Sequence, residues 1–105
     1  METPPQLSPM EAHDAIQRLL KEGDTIGRTQ HARDRALERN VTVDDMRHVL
    51  VNGTVSPNAE WNEKFKNWNY VVSGRDCENV PLALVIALEP RHCRITVVTV
   101  KDTNP

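Results

Sequence analysis

At 105 residues, 38% hydrophobic and 27% charged, the chain has the size and composition of one modest globular domain, which excludes global disorder. Its formal charge of −2 excludes a surface that is basic over the whole protein, although a local patch can still supply a positive field. Two cysteines are too few for a disulfide scaffold. With no apolar signal core and no run near the ~20 residues that span a bilayer, a cytoplasmic protein with no membrane partner is the expectation.

Residues 1–7 hold two prolines and little to bury, and read as a loose tail. A single domain is expected over 8–101, with a second short tail over 102–105. Ser8-Pro9-Met10-Glu11 opens the first helix: Ser8 caps, Pro9 suits the first turn, and Glu11 stands where a capping box needs it. Ala12, Ile16, Leu19 and Leu20 recur along one face, and Gly23 ends the helix. The segment Thr25 to Thr29 leads into a second helix, about Gln30 to Arg39, whose thin apolar face is Ala32, Ala36 and Leu37. Thr42 caps a third helix, with Asp44 and Asp45 in its first turn. Val43, Met46, Val49 and Leu50 form its buried stripe, and Asn52-Gly53 stops it.

After Gly53 the period changes from helical to extended. Thr54-Val55-Ser56 is a short strand ended by Pro57, and Asn69 to Gly74, Leu82 to Leu88 and Arg94 to Lys101 are further strands. The last two are apolar or β-branched at almost every position, so both their faces meet apolar surroundings. Arg75 to Pro81 and Glu89 to Cys93 are short connections with turn residues, which makes hairpins. The expected architecture is α+β: two to three N-terminal helices packed on one face of a mostly antiparallel four-stranded sheet. The other face is then either covered or a working surface.

Three groups of residues could carry chemistry. On the second helix His31, Arg35 and Arg39 fall on one ridge, opposite the alanines. An imidazole with two guanidiniums suits a phosphate, since arginine binds it bidentately and histidine can move a proton near neutral pH. Equally, Asp34 and Glu38 could hold the arginines as surface ion pairs. The tract from Trp61 to Tyr70 holds all the aromatic residues, interleaved with Lys64 and Lys66, a composition on which single-stranded RNA stacks. Trp61, Phe65 and Trp68 could instead complete a small core, which leaves Tyr70 as the aromatic residue for function. Arg75, Arg94 and Lys101 lie at or near strand ends, where a cation can neutralise phosphate charge or simply keep edges soluble. No metal site is expected: His13, His31, His48, His92, Cys77 and Cys93 show no ligand spacing, and no glycine-rich phosphate loop occurs.

His31-Ala32-x-x-Arg35-x-x-x-Arg39, followed by a capped helix ending at Asn52-Gly53, resembles the opening of domain-of-unknown-function family 4258. Trp61, the run Asn67 to Asp76, Leu82 to Ala87 and Ile95 to Val100 fit the same family. It is similar to the barnase–EndoU–colicin–RelE group of small RNA-cleaving folds, which includes RelE-like and MqsR-like toxins. The resemblance implies a metal-independent endoribonuclease without cofactor, in which the RNA 2′-hydroxyl attacks the neighbouring phosphate. It implies RNA as substrate and a cognate antitoxin protein as partner. His31 would be general acid or base, Arg35, Arg75 and Lys101 would hold phosphate charge, and Tyr70 would stack on a base or assist proton transfer. Arg39, Lys64, Lys66, Trp68 and Arg94 would bind RNA. Two departures stand out: Lys101 replaces the tyrosine that often ends the last strand, and the usual glycine is missing from Cys77-Glu78-Asn79-Val80-Pro81. A non-catalytic protein- or nucleic-acid-binding module of the same fold is the alternative.

Overall fold

The structure, a computed structural model, describes residues 5–22, 26–64, 66–89 and 94–101. Helix α1 (Pro9–Lys21) opens on a complete capping box, in which Ser8 Oγ accepts from Glu11 N–H and Glu11 accepts from Ser8 N–H. The glycine expected to end it, Gly23, lies outside the described residues. Strand β1 (Gly27–Arg28) leads through Thr29 into α2 (Gln30–Arg39), which stops at Asn40 in the left-handed conformation, φ 56°. Helix α3 (Val43–Asn52) has a second capping box, Thr42 with Asp45. Gln17 of α1 donates to the Leu50 carbonyl at 2.9 Å, satisfying one of the acceptors left open at the end of α3.

The strands that follow are β2 (Thr54–Val55), β3 (Glu60–Asn62), β4 (Asn67–Arg75), β5 (Pro81–Glu89) and β6 (Arg94–Lys101). They form one sheet in the order β1-β6-β5-β4-β2, with β3 also paired to β4. All pairings are antiparallel except β1 with β6. The α+β class stands, but the sheet is mixed and has six strands among the described residues where four antiparallel ones were expected. Strands β1 and β3 are two and three residues long, too short to leave a period-2 signature, and β3 falls inside the aromatic tract that reads as loop.

Alternation along the strands divides the molecule in two. Leu82, Leu84, Ile86 and Leu88 of β5 join one core with Tyr70 and Val72 of β4 and Ile95, Val97 and Val100 of β6. Ala12, Ile16 and Leu19 of α1, Ala32 and Ala36 of α2, and Met46, Val49 and Leu50 of α3 close that core from above. Helix α2 packs on β6 and β1, α3 on β4 and β5, and α1 against α3, β2 and β6. Ala83, Val85 and Ala87 point the other way and take no part in this cluster, yet they too are buried. Leu37, read as part of the apolar face of α2, is 80% exposed. It lies about 100° around the helix from Ala36, beyond the narrow stripe that Ala32 and Ala36 define.

Helix α3 meets β4 backbone to backbone. A Cβ on Gly53 would lie 2.5 Å from the Val49 carbonyl oxygen and 2.7 Å from that of Ser73, and one on Gly74 would lie 3.1 Å from Gly53 Cα. Relief would require separating the helix end from the sheet. Gly53→Ala is therefore expected to destabilise the fold by about 1–3 kcal/mol, measured by urea unfolding; an unchanged midpoint would refute this account of the contact.

Candidate functional site

Strand β6 has an irregularity that sets the geometry of α2. Val85 of β5 pairs with Thr99 while the next residue, Ile86, pairs with Val97, so Val98 is an extra, unpaired residue. Thr29 bonds to this bulge twice and caps the helix once. Its N–H donates to the Val97 carbonyl at 3.0 Å, its hydroxyl donates to the Val98 carbonyl at 2.8 Å, and the same hydroxyl oxygen accepts from Ala32 N–H at 3.0 Å. The residue that caps α2 is thus also the one that ties the helix to β6. Strand β1 pairs with Thr96 and Val97 alone, so the outer edge of Thr99–Lys101 has no strand beside it among the described residues.

His31 is exposed two residues after this anchor, in the first turn of α2. Arg35, one turn on, pairs with Glu38 at 3.3 Å and remains one-third exposed. Asp34 accepts from Gln30 rather than from an arginine. Arg39 is half-buried at the end of the helix. Lys101 ends β6, roughly 10 Å beyond the bulge, and is exposed. Register puts Lys101 beside Ala83 and Thr99 beside Val85, on the face turned away from the helices.

The remaining sequence-derived residues disperse. Ser73 stands beside Ala83, so Arg75 lies at the same end of the same face as Lys101, with β5 between and roughly 12 Å separating their Cα atoms. Its guanidinium donates to the Asn79 carbonyl at 3.0 Å and so turns over its own hairpin. Arg94 begins β6, roughly 23 Å from Lys101, and lies across Gly27, where a Cβ would meet Arg94 Nε at 3.2 Å. Lys64 and Lys66 belong to the β3–β4 turn, where Lys66 pairs with Glu63. Trp68 alternates with Tyr70 toward the helix layer, packs on the core, and meets Trp61 edge to face at 5.4 Å.

Tyr70 corrects the sequence reading most directly. It is 3% exposed, and its hydroxyl accepts from Leu7 N–H at 2.9 Å, so its ring serves the core and cannot stack on a base. The same bond fixes Leu7, the last residue of the segment read as a loose tail. The structure therefore leaves His31 and Arg35 at the corner where α2 starts against β6, puts Thr99 and Lys101 on the opposite face of that strand's end, and leaves Tyr70, Trp68, Arg94, Lys64 and Lys66 elsewhere. Among the described residues no three His, Cys, Asp or Glu side chains group as a metal site, and no helix is long and apolar enough to cross a membrane.

The pattern from the start of β1 to the end of β6 can now be set against known proteins. The domain of unknown function DUF4258 matches residues 28–102. The chain belongs to this family. No curated protein and no solved structure matches it. The DUF4258 span holds α2, α3 and β2 to β6, with Thr29 and every residue of the corner, while α1 precedes it.

Two residues of this DUF4258 chain carry structural weight that sequence reading assigned too narrowly. The sequence presents Thr29 as the end of a lead-in segment, although a threonine directly before the helix is also an N-cap signal. It presents Asp45 as a favourable first-turn charge. It is 8% exposed, accepts from Thr42 N–H at 2.9 Å, and also accepts from Cys77 N–H at 3.0 Å, so it latches the β4–β5 hairpin to α3. His48 Nδ1 adds a 2.7 Å bond to the Arg75 carbonyl. Within the hairpin Asp76 Oδ1 accepts from Glu78 and Val80 N–H, and Asn79 takes the left-handed conformation, φ 68°, that a glycine would supply. Asp45 also pushes the Cys77 thiol pKa up, which opposes a nucleophilic role for it.

The Thr42 N–H bond, with smaller help from Cys77, holds the Asp45 carboxyl below its ordinary pKa against the opposing effect of burial. A depressed folded-state value means that Asp45 contributes its stability fully above the ordinary carboxylate range, and that this is lost as pH falls through the folded value. Asp45→Asn should cost about 1–2 kcal/mol at pH 7, with the gap to wild type narrowing as pH drops below about 4. Urea midpoints across pH check this; a gap that stays constant with pH would contradict it.

Proposed function

We propose that this DUF4258 domain is an endoribonuclease of the RelE-like kind, cutting RNA without a metal at the corner where α2 meets the end of β6. The observation that carries the proposal is the clamp of α2 onto the bulged strand. It fixes the start of the helix that bears an exposed imidazole, His31, onto the strand that ends in Thr99 and Lys101. The reaction asks little more of the protein. The 2′-hydroxyl proton passes to His31, the 2′-oxygen bonds to phosphorus, and the bond to the 5′-oxygen breaks. A 2′,3′-cyclic phosphate forms, and the leaving oxygen takes up a proton from solvent. Lys101 and Arg35, the latter released from Glu38, hold the charge that builds on the phosphate. RNA would lie along the open edge of β6 beside the start of α2, the edge an antitoxin protein would cover.

The burial of Tyr70 and the turning of Arg75 onto Asn79 favour a second reading, a binding module without catalysis, because they remove two of the groups that the resemblance assigns to chemistry. One experiment separates the two. Purified protein is incubated with single-stranded RNA in chelator, beside His31→Ala and Lys101→Ala. The nuclease reading expects cleavage to cyclic-phosphate ends, slowed ~10²–10⁴-fold by His31→Ala and also reduced by Lys101→Ala. RNA retained uncut by all three proteins would establish the binding module instead.

A further inference from the structure

Helix α2 has little apolar area with which to fix itself. Its buried residues are Ala32 and Ala36, and Leu37 points to solvent. Alanine burial contributes weakly and tolerates sliding, because a methyl group fits many positions on a sheet. The register between α2 and β6 therefore has to come from directional bonds. The Thr29 hydroxyl is the group able to supply one between the first turn of the helix and the bulge. It accepts from Ala32 N–H and donates to the Val98 carbonyl, so its proton and a lone pair are both committed. The bulge itself makes the second bond available, since Val97 and Val98 carbonyls are both taken up at this edge by Thr29.

We infer that Thr29 is a positioning residue: through its hydroxyl it locks the start of α2 to the bulge of β6, and so fixes His31 and Arg35 relative to Thr99 and Lys101. Thr29 is too deeply engaged to touch substrate and acts through the residues it places. The inference rests on the proposed site for its catalytic consequence, but its geometric content stands apart from any activity. An ordinary N-cap needs an acceptor alone. The additional demand here is for a donor, and that demand makes the cap and the lock separable by substitution.

Thr29→Asp keeps a good helix cap but has no proton to give the Val98 carbonyl, whereas Thr29→Ser keeps both functions. Spin labels at Leu37→Cys and Val80→Cys, both exposed positions, report the distance between α2 and the sheet in a Cys77→Ser, Cys93→Ser background. The expected result is a narrow distance distribution for the parent and for Thr29→Ser, and a broadened one for Thr29→Asp with its helix content intact. In the RNA assay, Thr29→Asp should lower kcat on the order of 10–100-fold, as a misplacement of about 1 Å does, with KM little changed and Thr29→Ser near normal. A narrow distribution in Thr29→Asp overturns the inference, as does unchanged kcat in an enzyme that cleaves. If the parent protein does not cleave RNA, the proposed function fails, and the distance measurement alone decides the role of Thr29.

Discussion

Period-2 alternation along the central strand is the constraint from which the rest of this architecture follows. Each residue of β5 must face either the helices or the opposite side, and the strand spends its large aliphatics on one side and its small ones on the other. Leu82, Leu84, Ile86 and Leu88 need a cover, and three helices of 10 to 13 residues provide it. Ala83, Val85 and Ala87 are small and stand between the β4 and β6 residues that flank them in register, and they too are buried. A one-residue slip of this strand would put four leucine-sized side chains on the wrong side, so the register is strongly specified. The bulge at Val98 is tolerated because it lies on β6, whose other edge is only partly paired.

The helices are attached by unlike means. Helix α3 buries Met46, Val49 and Leu50 and approaches β4 so closely that Gly53 and Gly74 have no room for a side chain. Helix α1 adds Ile16 and Leu19, with Gln17 bonded to the end of α3. Helix α2 contributes two alanines, and its attachment is correspondingly polar. A directional attachment can be lost at one atom, while a packed one degrades gradually. The helix bearing His31 and Arg35 is thus the one whose attachment depends most on the bonds of a single residue, Thr29.

Much of this was legible from residue order. The Ser8-Glu11 box, the Thr42 cap, the stop at Asn52-Gly53 and the long strands all follow from local chemistry that tertiary contacts reinforce. What could not be read was whatever depends on a distant partner. Strands β1 and β3 exist because β6 and β4 offer them bonds, and their own two or three residues carry no pattern. Tyr70 looks available because its neighbour Asn69 is polar, yet alternation turns Tyr70 toward the helices and Asn69 to the opposite face. Leu37 looked apolar and therefore buried, but its angle on the helix decides otherwise. Of the candidate site, the ridge on α2 and the cation ending β6 were visible. The anchoring of α2 to β6 was not, since it depends on a bulge without a sequence signature.

The position of the corner has a physical logic of its own. The core excludes water, and the middle of the opposite face is alanine and valine, so neither offers groups that titrate or bind charge. Polar side chains can converge only where the helix layer meets the rim of the sheet, and two such junctions are well defined. At the one between α3 and the β4–β5 hairpin, the polar groups are consumed by the fold: Asp45 by Thr42 and Cys77, His48 by the Arg75 carbonyl, Arg75 by Asn79, and Asp76 by Glu78 and Val80. That junction is a latch. At the other, between α2 and β6, the structural bonds are made by Thr29, and the His31 and Lys101 side chains are exposed. Exposed groups beside an anchored helix start are what the proposed chemistry on a phosphate would draw on, because a group already satisfied by its own fold has nothing to offer a substrate.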